Sequence, residues 1–430
     1  MKNFTKRLAL LALLLLIAVP SALAYSFEEG GIYYYRTRPG EVYVTYKDNN
    51  YNSYSGDVNI PATFVHEGTT YTVTGIESYA FLYSSGLTSV TIPNTVTSIG
   101  VEAFAYCPNL TSVTLSETLE FIGHSAFRNS GLESINIPNS VTAIDQLTFF
   151  YCQSLKEATI GDGVTEIGEY AFYMCIEMTT LKLGNHLEKI VHNAFKGCYA
   201  LTSLTIPNSV KTIENDAFGY CHALKRVVIG NGVTTIGAHA FHECENMTSL
   251  VLGNSLNTIK DYAFYNCSSL TTLNIPNSVE TIDACAFAQC YGLTKVSIGS
   301  GVTSIGYGTF GGDWRLTSIT CQPVTPPTYS LDGGWSAFNS NVYDQATLYV
   351  PEESISKYRS AEVWKDFTNI QAIRDIIPGD VNEDGEVNIA DVNAVIDIIL
   401  SGNYDMRGDV NNDNEVNIAD INTVIDIILQ

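Results

Sequence analysis

One pattern repeats down the middle of this chain, and it leaves few folds open. From Leu87 to about Gln322 the order L-x-x-V-x-I, a turn, V-x-x-I, A-F and then C recurs. Its leading apolar residue falls at Leu87, Leu110, Leu132, Leu155, Met178, Leu201, Leu224, Met247, Leu270, Leu293 and Leu316. Nine of the ten intervals are 23 residues, and the other, Leu110 to Leu132, is 22. A period of this size held over so many units specifies a solenoid, in which each unit buries its apolar face only against its neighbours.

One unit shows how a coil is built. In the unit that starts at Leu201, Leu204 and Ile206 alternate with Thr205, which makes a strand with one buried face. Pro207, Asn208 and Ser209 turn the chain. Val210 and Ile213 point inward on the return, followed by Ala217, Phe218 and Cys221. The aromatic slot recurs from Phe81 to Phe310, so stacked coils place these rings in a column with roughly 4.8 Å between strands. Eight cysteines recur in the same way: Cys107, Cys152, Cys175, Cys198, Cys221, Cys244, Cys267 and Cys290. The period makes them inward small hydrophobes with free thiols, because parallel stacked Cβ vectors suit the disulfide torsion poorly. Cys285 and Cys321 lie off this ladder and have no assigned pairing. His239, His242 and Cys244 are close enough in sequence to suggest zinc. Cys244 faces the core, however, and the two histidines fill slots that read as exposed elsewhere.

These residues resemble the BspA-like leucine-rich repeat family of bacterial surface proteins. The stretch Leu87-Thr-Ser-Val-Thr-Ile-Pro-Asn-Thr-Val-Thr-Ser-Ile-Gly100, with Ala103-Phe104 and Cys107 after it, carries the likeness. The resemblance implies a mainly β leucine-rich-repeat solenoid of about 11 coils. It also implies a secreted or surface-exposed protein, some relatives being adhesins that bind host proteins or other bacteria.

The flanks follow from what a solenoid needs. Residues 1–24 read as a secretory signal peptide: Lys2, Lys6 and Arg7, the apolar run Leu8–Val19, and the small-residue site Ala22-Leu23-Ala24. Residues 25–57 predict an N-terminal cap, with Ile32–Tyr35 and Val42–Tyr46 as a hairpin through Arg38-Pro39-Gly40. Strand packing accounts for the tyrosines there (Tyr33, Tyr34, Tyr35, Tyr43 and Tyr46) better than a ligand patch does. Repeats occupy 58–322, the first atypical. A C-terminal cap follows over 323–370, with Ala337-Phe338 echoing the motif, Thr347–Val350 as the closing strand, and Trp364 and Phe367 as lid residues. Residues 371–378 read as a linker.

Charge singles out the last segment. The whole chain carries −23, which disfavours polyanions such as nucleic acid and anionic membrane surfaces as partners. Residues 379–430 alone hold nine Asp and three Glu against one Arg. Residues 380–391 and 409–420 are duplicates 29 residues apart, each followed by an apolar helical pattern. Oxygen-bearing side chains fall at loop positions 1, 3, 5, 9 and 12, the arrangement that suits Ca2+. In the first loop they are Asp380, Asn382, Asp384, Asn388 and Asp391; in the second, Asp409, Asn411, Asp413, Asn417 and Asp420. Glu386 and Glu415 at position 7 ligate through main-chain carbonyls in this reading. Gly385 fills the tight turn and Asn414 replaces it in the second loop, which predicts somewhat weaker binding there.

Two such loops, each followed by a helix, resemble a type I dockerin. That resemblance implies two Ca2+ ions and a cohesin-like scaffold protein as partner. In the family, loop positions 10 and 11 carry partner specificity, commonly as Ser or Thr. Here they are Ile389-Ala390 and Ile418-Ala419, an apolar exchange.

Three functions follow. One is a secreted, non-catalytic binding or adhesion protein, whose outward strand positions Thr91, Thr114, Asn136, Thr159, Thr205, Asn274 and Ser297 meet protein or glycan. Another is an accessory member of a polysaccharide-degrading assembly. The third, a hydrolase, has no nucleophile motif and no paired carboxylates apart from the repeat to support it. A calcium-stabilised tail without a partner is the plain alternative for the last segment.

Overall fold

The computed structural model describes residues 25–49, 51–329, 336–373, 379–382, 384, 386–402, 404–411, 413 and 415–429. The expected signal peptide, Gly385, Asn414 and linker residues 374–378 lie outside these.

Among the described residues the L-x-x-V-x-I segments and their counterparts at the two ends form fourteen strands on one face, from Ser55–Asn59 to Asn369–Ala372, in four parallel ladders. The V-x-x-I segments form two-residue strands on a second face, and nine of its strands run as one sheet from Ala143–Ile144 to Thr328–Tyr329. Register follows the repeat. Leu204 lies opposite Val227 and Ile206 opposite Ile229, so inward residues meet inward residues. Between the two faces runs the ring column. From Phe104 to Phe287 successive centroids lie 4.9–5.3 Å apart and the planes deviate by at most 14°. That spacing exceeds the strand separation slightly, as offset stacking requires.

Both ends of the column are closed by aromatics. At the first coil Tyr54 lies 4.3 Å from Phe81, and its buried hydroxyl donates to the Thr45 carbonyl. The hairpin forms as Ile32–Arg38 paired antiparallel with Glu41–Thr45, and Tyr33 and Tyr34 pack inward. At the last coil Phe338 stacks 5.3 Å from Phe310, and Trp364 and Phe367 meet it edge-on, which ends the stack. Thr347–Val350 is not the outermost strand: Asn369–Ala372 pairs parallel beyond it. That strand escapes a pattern reading because Ile370 is its one large apolar residue.

Four helices occur among the described residues: α1 (Ser340–Gln345), α2 (Ile355–Tyr358), α3 (Ile389–Ser401) and α4 (Ile418–Ile428). The first two belong to the C-terminal cap. The other two have their own small core of Val381, Val392, Val395 and Val424, separate from the solenoid core.

Candidate functional site

The C-terminal module is a pseudo-symmetric pair of loop–helix units, and the 29-residue duplication fixes its packing. A Cβ on Gly379 would lie 2.9 Å from Val387 and 3.1 Å from Ile427; one on Gly408 would lie 2.7 Å from Val416 and 3.0 Å from Ile398. Each glycine thus lets its own loop and the opposite helix close together. Both helices start in the same way. Asn388 accepts a hydrogen bond from the Ala390 N–H while Asp391 accepts one from the Asn388 N–H, and Asn417 and Asp420 repeat this in α4. Such reciprocal caps satisfy N–H groups that a helix start leaves unpaired.

The loop side chains are drawn to one side by the main chain. The Asp384 N–H donates to both Asp380 Oδ1 (3.0 Å) and Asn382 Oδ1 (2.9 Å), and Asp391 Oδ1 reaches across to the Asn382 N–H (3.0 Å). In the second loop the Asp413 N–H donates to Asp409 Oδ1 and Asn411 Oδ1, both at 2.9 Å, and Asp420 Oδ1 accepts from the Asn411 N–H at 3.2 Å. Positions 1, 3, 5 and 12 are therefore brought together in each loop, with Asp391 and Asp420 fully buried. Position 9 is not drawn in: the Oδ1 atoms of Asn388 and Asn417 are committed to their helix caps. The Glu386 and Glu415 side chains are exposed, which leaves the main chain as their route to a cation. Among the described residues no group of three or more His, Cys, Asp or Glu side chains is close enough to hold a metal on its own. The donor set is mixed, Asp with Asn, and consists of oxygen, so it fits a hard cation such as Ca2+ rather than zinc.

The repeats place the seven outward strand positions, from Thr91 to Ser297, at exposed or half-buried sites. All ten cysteines are free and buried. Each ladder thiol donates to the carbonyl of the inner Phe one coil earlier, for example Cys107 to Phe81 at 3.0 Å and Cys221 to Phe195 at 3.5 Å. Burial pushes the Cys107 and Cys221 thiols up to about 12. The ladder is longer than its cysteines. Ser84, Ser130 and Asp313 occupy the same slot and are buried, and Ser130 Oγ lies 3.3 Å from Cys152 Sγ. Period alone would have found them; residue type concealed them.

His242 corrects the expectation that both histidines are exposed: it is 7% exposed, with Nδ1 2.6 Å from the His239 carbonyl. Gly219, one coil earlier, makes the room. A Cβ there would stand 2.3 Å from His242 Cε1. Burial lowers the His242 pKa, so its ring is neutral near pH 7.

A further feature comes from the segments around A-F. In each coil the residue before the inner Ala or Thr, and the second residue after Phe, are left-handed; the non-glycine ones have φ of 50–66°. Many carry rings. Tyr83 packs tilted against Tyr106 (5.1 Å, planes 32° apart), and the Arg128 guanidinium sits between Tyr106 and Phe150, 5.5 and 5.1 Å from their centroids. Phe150 stacks on Tyr173 (5.2 Å), Tyr199 on His222 (5.4 Å), His239 on Tyr262 (4.9 Å) and Tyr291 on Trp314 (4.7 Å). These rings form an aromatic ridge along the turn side of the solenoid.

Residues 74–201 and 188–317 match the family described as BspA type Leucine rich repeat region, in six copies. The chain belongs to that family. Residues 378–429 match the Dockerin type I domain. Among solved structures, a leucine rich cell surface protein from Faecalibacterium prausnitzii is 26% identical, covering 69% of this chain and 94% of that one (TM-score 0.37). A leucine-rich repeat protein from Bacteroides ovatus is 23% identical over 76% of this chain and all of that one (TM-score 0.38). The pneumococcal vaccine antigen PcpA is 19% identical over 82% of this chain and all of that one (TM-score 0.42). No curated protein matches.

BspA-type repeats and dockerins are typically extracellular or surface modules without catalytic activity, and type I dockerins bind calcium and cohesins. Among the described residues no helix is long and apolar enough to cross a membrane. In this dockerin the position-10 residues Ile389 and Ile418 are 68% and 69% exposed. The capped starts of α3 and α4 hold these two apolar side chains in water.

Proposed function

We propose that this chain is a secreted, non-catalytic binding protein. Its BspA-type solenoid meets protein or glycan, and its dockerin, loaded with two Ca2+ ions, holds it on a cohesin-like scaffold. The observation that carries this reading is the duplicated loop. Asp380, Asn382, Asp384 and Asp391 converge as do Asp409, Asn411, Asp413 and Asp420, and each loop ends in an exposed isoleucine on a capped helix. Glu386 and Glu415 add main-chain carbonyls in this proposal, and Asn388 and Asn417 hold the helix starts and a position-9 water. The working boundaries are a signal peptide to residue 24, a cap to 57, repeats to 322, a second cap to 370, a linker to 378 and the dockerin beyond.

A second reading places the protein as an accessory, non-catalytic component of a polysaccharide-degrading assembly, and the dockerin match favours it. Pull-downs from envelope and culture-supernatant extracts separate the outcomes. The full chain and a chain ending at Pro378 are compared with calcium or chelator. A cohesin-bearing partner retained only by the full chain in calcium supports attachment through the dockerin. Retention by both chains regardless of chelator refutes it.

A further inference from the structure

We propose that the aromatic ridge on the turn side of the solenoid, a surface separate from the strand face and the dockerin, binds a basic protein segment. Stability alone does not account for the rings that take left-handed positions, such as Tyr83, Tyr106, Tyr220 and Tyr262. A non-glycine residue in the left-handed region costs about 1 kcal/mol or more. Stacking between neighbouring rings contributes about 0.5–1.5 kcal/mol, so the two effects roughly offset. Glycine at these positions would avoid the strain, and Gly197, Gly308 and Gly312 do so in other coils.

What the rings leave outside decides the partner. Tyr199 lies face to face with His222, and Tyr220 meets His222 and His242 edge-on with Lys196 over its ring; Tyr199 and Tyr220 are each 39% exposed. Sugar rings need a free aromatic face, whereas here His222 lies on the Tyr199 ring and Lys196 over the Tyr220 ring, and tyrosines with exposed hydroxyls suit protein contacts. Charge then selects among proteins. Glu243 and Glu245 stand in rows where other coils have rings, and among the described residues neither pairs with a lysine or arginine. The ridge already accepts cations from its own chain. Arg128 lies between two rings, and Lys196 lies 5.5 Å from the Tyr220 centroid while pairing with Asp216 at 2.6 Å. An arginine- or lysine-rich segment would repeat those contacts along the coils.

The test uses the full chain in saturating calcium, so that the tail carboxylates are ligated, with fluorescence anisotropy as readout. The probes are an unstructured arginine-rich peptide, its lysine-rich counterpart and a linear β-linked gluco-oligosaccharide. The expected order is arginine over lysine, with no measurable sugar binding. Tyr199→Ser/Tyr220→Ser changes no charge and weakens the arginine peptide about tenfold; Glu243→Gln/Glu245→Gln, which removes no ring, does the same. Melting curves establish that the variants fold, and the glutamine variant carries the test alone should the serine variant fail. Peptide affinity unchanged in the glutamine variant overturns the proposal. So does oligosaccharide binding that the tyrosine variant abolishes, or peptide binding lost from a chain ending at Pro378.

Discussion

Asp313 fills the ladder slot after Cys290, and replacing it with cysteine should stabilise the last coils. Neither carboxyl oxygen has a hydrogen-bond partner, and the side chain is fully buried. The Cys290 amide favours the charged form, but without standard hydrogen-bond geometry, and burial outweighs it, so the pKa stands well above 3.8. The native state therefore holds the proton at pH values where the unfolded chain has released it. Stability from this group is full below the unfolded value of 3.8 and is lost as pH rises toward the native value. The loss approaches about 1.4 kcal/mol per pH unit in that window. An unpartnered buried polar group costs about 1–3 kcal/mol, which sets the scale of the gain from Asp313→Cys. The new thiol would face the Phe287 carbonyl, as Cys290 faces that of Phe264 at 3.4 Å. Trp314 and Trp364 belong to this end, so tryptophan fluorescence in a urea gradient reports the last coils. The variant should unfold at higher urea, and the gain should be larger at pH 8 than at pH 5. An equal gain at both pH values, or none, refutes the argument from the buried carboxyl.

Truncating one ring of the column, Phe218→Ala, should cost about 3–5 kcal/mol, seen as a lower urea midpoint by far-ultraviolet dichroism. In the native protein at pH 8 none of the ten thiols should react with a soluble disulfide reagent, while all ten react after denaturation; rapid native labelling of Cys221, whose pKa is pushed up to about 12, would contradict its burial. Titration calorimetry should count two Ca2+ per chain, with Asp391→Asn and Asp420→Asn each removing one. Calcium at 100 times its dissociation constant should stabilise the module by about 2.7 kcal/mol per site.

Inward residues were legible in the sequence because solenoid geometry leaves them one choice. Phe104 to Phe310 could be placed in a column from spacing alone, and so could the strands that hold Leu204 and Ile206. Legibility failed where a slot keeps its position but changes its chemistry. Ser130 and Asp313 sit in the cysteine ladder without being cysteine, and His242 is buried because of a glycine 23 residues earlier. Neither effect is visible within one coil. The strand Asn369–Ala372 was hidden because polar Asn369 and Gln371 flank its one large apolar residue, Ile370, and the expected cap-to-linker boundary falls inside it. In the dockerin, the duplicated loop was plain, but the caps that take the oxygens of Asn388 and Asn417 needed coordinates.

These two kinds of residue divide the labour of the solenoid. A coil contacts only its neighbours, so an inward change such as Asp313 or Ser130 alters stability locally and leaves distant coils unaffected. An outward change is nearly neutral for folding, usually within about 0.5 kcal/mol. Outward departures from the repeat are therefore not fixed by folding, and the most informative are those that add charge or a ring at a strained position. Arg128, Lys196, Tyr220 and Glu243 are of this kind: Tyr220 and Glu243 have φ of 61° and 59°, where glycine would relax the chain. Thr91 and Thr205 on the strand face are not, because threonine suits a strand whatever it meets. The physical case for recognition is accordingly stronger on the turn side than on the strand face, and mutational searches for a partner should begin there.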